Sequence, residues 1–380
     1  MRTSAARILT THAGSLPRPP ALARLHGQRS RGEPVDPAEL TAAVEDATTA
    51  VITAQVEAGI DIGNDGEQAR ESFFTYVQHR MTGFGGTSER KLMRDLVEHP
   101  DYLELMQPRR DRTQVHLFGA PAAIGAVAYR DTTEVAAECD LVAGAPFAET
   151  FMTAASPGIV TAAMQNQHYP SDGEYLRAVA DALATEYRYI VDRGLLLQID
   201  APDLAMERHT SFADRPLADF VAWIEGVVGH INRALDGIVP ERVRLHVCWG
   251  NYEGPHTHDV PLDDILDVLY GAHVGALVIS MANARHAHEY ECFARRPLPD
   301  GMNIVAGVID TTSNYVEHPA VVAERIVRVV DAVGDPTRVI AGTDCGFDTS
   351  AGLGDVAASL VWCKLRALRE GADLASARVF

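Results

Sequence analysis

The chain of 380 residues contains few cysteines, and they do not form the pattern of a disulfide framework. The five are an odd number of widely spaced thiols: Cys139, Cys248, Cys292, Cys345 and Cys363. Disulfides are therefore not expected, and a reducing cytoplasm is the expected compartment. In that compartment a cysteine close to a histidine is more often a metal ligand or a nucleophile than half of a bridge.

The sequence also lacks the features of nucleic-acid-binding and membrane proteins. Lysine and arginine together number 33 against 52 aspartates and glutamates, which gives a formal net charge of −19. An acidic surface repels phosphate backbones. No apolar run is long enough to span a bilayer, and the first residues contain no long apolar segment of a secretory signal. We expect neither nucleic acid nor a membrane as a partner, and a homo-oligomer is compatible with the sequence.

Hydrophobic patterning predicts helices that alternate with short buried strands. Helical spacing is found at 36–58, 171–193, 217–236, 262–270, 319–333 and 353–371. Short apolar runs occupy 60–65, 195–200, 243–248, 276–281, 303–310 and 338–344, and weaker strand patterns occupy 8–12, 114–120 and 148–154. The alternation indicates βαβ units and a parallel sheet. Nine strands are one too many for an eight-stranded barrel, so one of the last two patterns would lie outside it.

Polar residues end most of the apolar runs, as at the active-site end of a barrel. In a (β/α)₈ barrel the carboxyl ends of the strands and the following loops build the active site. An open doubly wound sheet also binds ligands there, but neither a GxGxxG nor a P-loop motif follows an early strand. We therefore predict an α/β fold, a (β/α)₈ TIM barrel with loop insertions that forms a single domain over residues 1–380.

Three residues form a candidate metal site. His246 and Cys248 are two positions apart on a predicted strand, so their side chains share a face. Cys345 lies at the tip of another strand, in the turn GTDCG. One imidazole and two thiolates suit zinc, and three protein ligands with one open position are typical of catalytic zinc sites. The alternative is a hydrogen-bonded core histidine with two small buried thiols, and composition alone leaves both readings open.

Motifs along nearly the whole chain carry a resemblance to a known family. They are TTHAGSLPRP (10–19), NDGEQARESFFTYV (64–77), SPGIV (156–160), LQIDAPDLA (197–205), HVCWGNYEGPH (246–256), NARHAHEYE (283–291), VEHPAVVAERI (316–326) and IAGTDCGF (340–347). In these motifs the chain resembles the catalytic C-terminal half of cobalamin-independent methionine synthase. It resembles more closely the shorter methionine synthase II-like proteins, which include epoxyalkane:coenzyme M transferases.

The resemblance implies a (β/α)₈ barrel that transfers an alkyl group to a thiol with the help of zinc. It implies that His246, Cys248 and Cys345 bind Zn²⁺. It also implies that four further residues hold the thiol substrate: Gly14, Ser15, Glu67 and Asp200. Without the family, Glu67 could be a solvated carboxylate at a helix start and Asp200 the partner of a structural arginine.

Two departures from methionine synthases bear on the alkyl donor. Those enzymes have a zinc-binding glutamate on the corresponding strand. In this chain the residue at that place is Ser280 or Ala282, depending on how the segment is aligned. They also have a proton-donating histidine at about the position of Thr312, in GVIDTTS. A folate-bound methyl group leaves poorly without a proton donor, and the chain lacks the separate N-terminal half of those enzymes. We therefore do not expect folate as the donor.

The predicted function is zinc-dependent thiol alkyl transfer, in which a zinc-bound thiolate attacks an epoxide or another activated small electrophile. Opening an epoxide requires an acid, and the candidates are His12, His256 and His286, with His258 and His288 also near strand ends. Arg18 and Arg285 are candidates to hold an anionic substrate tail, unless they form ordinary salt bridges.

Other functions stay open at this point. The first is a barrel lyase or decarboxylase that acts on a small acidic substrate. The second is a methionine synthase-like methyltransferase with a folate or non-folate donor, and the transfer could also run in reverse as a carbon–sulfur lyase. The third is a non-catalytic protein that binds a thiol or a metal. A requirement for a thiol co-substrate would separate the transferases from the lyase.

Overall fold

Eight parallel strands form a barrel in the computed structural model. The structure describes residues 1–110, 115 and 119–380, without the side chains of 107–110. The described residues form ten strands, of which the third and fourth lie in a separate ribbon. In chain order they are β1 (Leu9–Thr10), β2 (Ile62–Gly63), β3 (Phe84–Gly85), β4 (Ala122–Ala123), β5 (Glu149–Ala155), β6 (Leu196–Asp200), β7 (Val243–Val247), β8 (Ala276–Ser280), β9 (Asn303–Ile309) and β10 (Val339–Thr343). The barrel order is β1-β10-β9-β8-β7-β6-β5-β2. A parallel bridge between Thr11 and Ile62 joins the two edges. The predicted TIM-barrel class is confirmed.

Helices follow the barrel strands in the alternation that the sequence predicted. They are α1 (Pro20–Ser30), α2 (Pro37–Glu57), α3 (Val77–Arg80), α4 (Arg94–Glu98), α5 (Pro100–Arg110), α6 (Thr133–Leu141), α7 (Pro157–Ala163), α8 (Asp172–Asp192), α9 (Asp203–Met206), α10 (Leu217–Ala234), α11 (Leu262–Tyr270), α12 (Cys292–Arg295), α13 (Pro319–Val333) and α14 (Ala358–Val379). Short 3₁₀ turns span Glu207–His209, Pro240–Arg242, Glu289–Glu291 and Pro336–Arg338. Within the described ranges, no helix has both the length and the apolar character needed to cross a membrane.

Local signals explain where the long helices begin. Asp36 and Ser171 cap α2 and α8 by accepting hydrogen bonds from the backbone NH groups of Ala38 and Glu174. An N-cap of this kind satisfies one of the NH groups left free at a helix start. The last helix differs from the prediction of 353–371, because it begins at Ala358 and continues to Val379.

Eight of the nine predicted strand runs overlap a strand of the barrel sheet. The ninth, at 114–120, falls largely outside the described residues. Between β2 and β5 the chain instead forms a small antiparallel ribbon, in which β3 pairs with β4. This excursion accounts for the loop insertion that nine predicted strands implied.

One arginine crosses the interior of the barrel. Arg244 on β7 donates hydrogen bonds to the Gln198 side chain at 2.7 Å, to the Thr11 hydroxyl at 3.1 Å and to the carbonyl oxygen of His12 at 2.8 Å. Its guanidinium also lies 3.6 Å from the ring centre of Phe151 on β5. The residue therefore links β7, β6, β5 and the segment after β1 from inside the barrel.

Candidate active site

The three predicted metal ligands lie together at the carboxyl end of the barrel. His246 is on β7, Cys248 follows the end of that strand, and Cys345 follows β10. One ligand atom from each residue lies within 4.8 Å of the other two, and all three residues are buried. The predicted shared face of His246 and Cys248 therefore brings both side chains to the same point.

Asp200 orients the imidazole of His246. The two residues are register partners on β6 and β7, and His246 Nδ1 lies 3.0 Å from Asp200 Oδ1. Gln198 donates a second hydrogen bond to the same carboxylate oxygen, at 2.7 Å. The other ring nitrogen, Nε2, is buried and makes no hydrogen bond. Metal-binding histidines have this arrangement, with one nitrogen held by a carboxylate and the other directed at the ion.

The spacing of the two sulfur atoms also fits zinc. The Sγ atoms of Cys248 and Cys345 are 3.9 Å apart. Tetrahedral zinc with Zn–S bonds of about 2.3 Å requires about 3.8 Å between two sulfur ligands. The neighbouring Cys345 thiol and the His246 ring lower the pKa of the Cys248 thiol, which favours the thiolate that a metal needs. The residues present therefore fit a zinc ion with three protein ligands.

No fourth ligand joins this group from the described part of the chain. The hydroxyl of Ser280 donates to the carbonyl oxygen of Asp344 at 2.6 Å, so it is turned to the backbone. The nearby Asp344 carboxylate accepts hydrogen bonds from the backbone NH groups of Met281, Ala282 and Asn283. The loops after β8 and β10 thus use these groups to hold each other.

Glu67 lies close to Asp200 in the same pocket. Its backbone has a φ of +57°, an uncommon conformation for a residue other than glycine. The Thr153 hydroxyl donates to Glu67 Oε1 at 3.1 Å, while Oε2 is buried without a hydrogen bond. Burial, reinforced by the Asp200 carboxylate, raises the pKa of Glu67 to about 8. A cationic group between the two carboxylates would relieve both effects.

Gly14 allows the segment after β1 to pass close to Glu67. Its φ is +129°, and a Cβ atom at this position would lie 2.5 Å from Glu67 Oε1 and 2.8 Å from Thr153 Cγ2. A side chain here would collide with the carboxylate as well as strain the backbone. The next residue, Ser15, lines the pocket directly.

The pocket has a polar floor and apolar walls. Ser15, Glu67, Asp200, His246, Cys248 and Cys345 contribute to the floor. Much of the wall is aromatic or aliphatic: Phe73, Phe74, Met93, Leu96, Tyr102, Leu103, Met106, Met206, Tyr252 and Leu353. A second, more polar pocket also reaches Cys248 and Cys345, and its lining includes His256, Asn283, Arg285, His286, Asp310 and Thr312.

His12 and Arg18 lie behind the apolar-walled pocket rather than in its lining. The His12 ring is buried, with Nε2 2.8 Å from Gln55 Oε1, and it accepts a hydrogen bond from the Gly14 NH group. Burial lowers the pKa of His12 to about 4. Arg18 forms a buried ion pair with Asp348 at 3.2 Å and donates to the carbonyl oxygen of Glu67 at 2.8 Å. The roles predicted for these two residues remain predictions.

The remaining predicted histidines divide into a pair around Asp259 and two that lie nearer the surface. His256 and His286 lie together around Asp259, each 2.8 Å from its Oδ2 atom. His258 instead pairs with Glu98 at the surface, at 2.6 Å. His288 is exposed, as is Arg285, which lines the polar pocket. Whether His256 or His286 supplies a proton also remains a prediction.

Three buried residues near the mouth of the barrel were missed by the sequence analysis: Asp95, His209 and Asp259. They come from separate segments and meet beside His256. Only Asp259 had a sequence signal, since it directly follows the pair of histidines in HTHD. The other two carry no local pattern that distinguishes them from ordinary loop or helix residues.

Comparison with known proteins supports the resemblance. The chain is 24% identical over 345 residues to the methionine synthase of Sulfolobus acidocaldarius, covering 89% of this chain and 85% of that protein. It is 25% identical over 344 residues to the 2-hydroxypropyl-CoM lyase of Xanthobacter autotrophicus, covering 83% and 82%. No protein-family model matches the chain.

A solved structure has the same fold. A B12-independent methionine synthase from Shewanella sp. W3-18-1, in complex with selenomethionine, superposes with a TM-score of 0.73 at 20% identity. The superposition covers 98% of this chain and 99% of that one. The relatives and this structure together confirm the resemblance that the motifs carried.

Proposed function

We propose that this chain, whose relatives include proteins named methionine synthase and 2-hydroxypropyl-CoM lyase, is a zinc-dependent thiol alkyltransferase. One observation carries the proposal. His246, Cys248 and Cys345 converge at the floor of a pocket, with the free Nε2 atom of His246 among them and its Nδ1 atom held by Asp200. Three ligands of this kind leave one coordination position for a substrate.

The ligand set suits activation of a thiol. Zinc held here would lower the pKa of a substrate thiol from its usual value of about 8.5, so that the thiolate exists at neutral pH. The two cysteine ligands balance the charge of the ion, and Asp200 fixes the ring of His246. The apolar side chains of the wall would limit the water around a sulfur bound at the floor, which would keep it reactive.

The carboxylates of Glu67 and Asp200 favour a thiol that carries an ammonium group. They face the same pocket as the metal ligands, and burial and the Asp200 carboxylate raise the pKa of Glu67 despite the opposing charges of Arg18 and Arg70. An ammonium group would stabilise both ionised carboxylates. A thiol with an anionic tail finds less support, since Arg18 is engaged by Asp348 and Arg285 is exposed.

The alkyl donor is an epoxide or another activated alkyl compound, and not a folate. The thiolate forms the new carbon–sulfur bond while the carbon–oxygen bond of the epoxide breaks, and the resulting alkoxide takes a proton. Thr312 replaces the family's proton donor and is turned toward Asp310, to which its hydroxyl donates at 2.9 Å. His256 and His286, which line the polar pocket, are the nearest candidates for the acid.

The test measures both metal and turnover. We expect about one zinc per chain to be lost in Cys248→Ser, together with at least a hundredfold loss of thiol consumption when an epoxide and an amino thiol are supplied. Cys363→Ser, which replaces a half-buried thiol on α14, is the control and should match the wild type. A Cys248→Ser enzyme with full activity would contradict the proposal. Turnover of an acidic substrate without any thiol would favour a lyase instead.

A second candidate is a methionine synthase-like methyltransferase. The names of several relatives favour it, as do the two carboxylates suited to an amino thiol. The same assay distinguishes the candidates when homocysteine is offered with either an epoxide or a methylated folate. Formation of methionine from the folate would reject our exclusion of that donor. Single-domain organisation and a cytoplasmic location remain predictions alongside these two candidates.

A further inference from the structure

A second group of ligand-type side chains lies buried beside the mouth of the barrel. It consists of His209, His256, Asp259 and His286, here called the imidazole–carboxylate cluster. His209 ends the 3₁₀ turn that follows α9, His256 and Asp259 lie in the loop between β7 and α11, and His286 lies in the loop after β8. Three separate segments therefore meet at the carboxylate of Asp259.

Asp259 is the centre of the cluster. Its Oδ2 atom is 2.8 Å from His256 Nδ1 and 2.8 Å from His286 Nε2. Its Oδ1 atom is 3.5 Å from His209 Nδ1 and makes no hydrogen bond. Side chains of His256, Asp259 and His286 each place a ligand atom within 4.8 Å of the others.

The outward-facing ring nitrogens are held by acceptors. His256 Nε2 donates to the carbonyl oxygen of Tyr252 at 3.0 Å, and His286 Nδ1 faces Glu289 Oε1 at 3.3 Å. In neutral rings this leaves a lone pair on each inward nitrogen, facing an oxygen of the Asp259 carboxylate. Lone pairs repel a carboxylate oxygen that lies 2.8 Å away. A cation must therefore lie between them, either as a proton on each ring or as one metal ion.

His209 discriminates between these two cases. Its ring is buried, and neither nitrogen makes a hydrogen bond. Its Nδ1 atom faces Asp259 Oδ1 at 3.5 Å and Asp95 Oδ1 at 4.0 Å, which is too long for a good hydrogen bond. A proton on His209 therefore leaves Nδ1 and Asp259 Oδ1 poorly paired, whereas a metal ion held by Asp259 would draw both atoms toward it. Unsatisfied buried polar atoms are costly, so the second case explains more of the structure.

We propose that the imidazole–carboxylate cluster binds a second divalent transition-metal ion of the zinc type. His256, Asp259 and His286 already place their ligand atoms together, and His209, which reaches only Asp259 in this structure, would have to turn toward the ion to become the fourth ligand. A site closed in this way by four protein ligands is a structural one. The carbonyl of Tyr252 and the carboxylate of Glu289 hold the outer nitrogens, as outer partners do in known zinc sites. His256 has a φ of +52°, a strained conformation that a bound ion would help to hold.

Such an ion would brace the loop that carries Cys248. The indole of Trp249, the residue after Cys248, stacks on the His286 ring with centroids 3.8 Å apart. The ion would also join the loops after β7 and β8 to the turn after β6. The inference does not depend on the zinc site of His246, Cys248 and Cys345, because it concerns a separate set of ligands. It does exclude His256 and His286 as the acid for the alkoxide, because rings held by an ion through one nitrogen and by Tyr252 or Glu289 through the other have no proton to give. Water in the polar pocket would then supply that proton.

The first experiment counts zinc in the full-length protein after exhaustive dialysis against metal-free buffer. We expect two equivalents in the wild type, one in Cys248→Ser, one in Asp259→Asn, and none in the double variant. A wild type with no more than one equivalent, undiminished in Asp259→Asn, would overturn the inference. Loss of zinc in Asp259→Asn alone, with no loss in Cys248→Ser, would instead contradict the proposed active site.

The second experiment replaces His209, whose ring nitrogens make no hydrogen bond, because Asp259→Asn also removes hydrogen bonds from the cluster. His209→Gln should weaken zinc binding at the second site at least tenfold, while chelator-treated wild type and variant unfold at similar urea concentrations. His288→Gln, at an exposed histidine outside the cluster, is the control and should retain both equivalents. Unchanged zinc affinity in His209→Gln would show that the cluster is only a hydrogen-bonded network.

Cobalt substitution gives a spectroscopic signature that folding defects would not produce. In Cys248→Ser/Cys345→Ser the remaining cobalt should give visible d–d bands from nitrogen and oxygen ligands, without sulfur-to-cobalt charge transfer. Absence of any cobalt spectrum in this correctly folded variant would reject the second site.

Discussion

Asp203 is a buried carboxylate whose charge is poorly supported. Its Oδ1 atom accepts a hydrogen bond from the Ser156 hydroxyl at 2.5 Å, but Oδ2 is buried without a partner. Burial, with a further contribution from Glu207, raises the pKa of Asp203 to about 7. An unfolded aspartate titrates near pH 3.9, so the folded protein binds a proton here that the unfolded chain releases.

This difference predicts a pH dependence of stability. The contribution of Asp203 is fully present below about pH 4 and is lost as the pH rises toward about 7, with a slope of at most about 1.4 kcal/mol per pH unit. Asp203→Asn cannot ionise, so the free energy of unfolding of the wild type should fall relative to this variant between pH 5 and 7. Urea unfolding at constant metal content measures the difference.

The control for this experiment is Asp192→Asn, which makes the same chemical change at an exposed position at the end of α8. Its stability should follow that of the wild type across the same pH range. If the Asp203→Asn and wild-type curves stay parallel from pH 5 to pH 7, Asp203 is already ionised in the folded protein and the explanation fails.

At the scale of elements, the packing of α13 against α14 depends on a glycine. A Cβ atom on Gly371, in α14, would lie 2.5 Å from Val322 Cβ and 3.0 Å from the carbonyl oxygen of Pro319. Alanine favours a helix by about 1 kcal/mol over glycine, but overpacking a core costs about 1–3 kcal/mol. We therefore expect Gly371→Ala to lower the free energy of unfolding by about 1–2 kcal/mol, measured by urea unfolding.

The matched substitution is Gly229→Ala in α10. This glycine is exposed, and a Cβ atom there would have no neighbour within 4 Å. The same change should therefore stabilise the protein by about 0.5–1 kcal/mol through helix propensity alone. Opposite signs for the two variants test the close contact directly, and equal signs would mean that α13 and α14 adjust freely.

Strand positions were predictable because buried parallel strands have a simple sequence pattern. Runs such as 195–200 and 303–310 are mostly apolar and end in an aspartate, and β6 and β9 lie inside them. The ribbon of β3 and β4 has only two residues per strand and no alternating pattern, so periodicity could not detect it. The start of α14 was predicted too early because the apolar spacing begins at 353, whereas helical backbone begins only at Ala358.

At the scale of the whole molecule, closure of the barrel is weakest at β1 and β2. Each has only two residues, and the two edges are joined by the bridge between Thr11 and Ile62. Arg244 adds hydrogen bonds from inside the barrel to Thr11 and to the carbonyl oxygen of His12. Burial lowers the pKa of Arg244 to about 9, and the charges of Asp200 and Glu149 oppose this shift.

Arg244→Lys should therefore destabilise the entire barrel. A lysine ammonium cannot reach all three acceptors in the planar arrangement of a guanidinium. With bonds to charged donors worth about 1.5–3 kcal/mol each, we expect a loss of about 2–4 kcal/mol in the free energy of unfolding, in one cooperative transition. Arg242→Lys, which removes a hydrogen bond to the carbonyl oxygen of Leu195 at the other end of β7, should cost less than 1 kcal/mol. Equal losses would argue against a closing role for Arg244.

The candidate site was predictable where its residues share a strand or a motif. His246 and Cys248 are neighbours on one face, and Cys345 follows a strand of the same sheet. The placement of Asp95 and His209 could not be predicted, because they approach Asp259 only after the loops fold over the mouth of the barrel. The partnering of Arg18 with Asp348 is likewise set by segments far apart in the chain.

Strand β7 and the loop after it supply residues to both metal-type clusters, since His246 and Cys248 belong to one and His256 and Asp259 to the other. Each pair is fixed against different strands and loops, so the stretch between Cys248 and His256 spans a set distance. Exchanges of side chain along that stretch leave the span unchanged, whereas an inserted or deleted residue would displace one cluster from its partners. We therefore expect the amino-acid identities in this loop to vary more readily among descendants of this protein than the length of the loop.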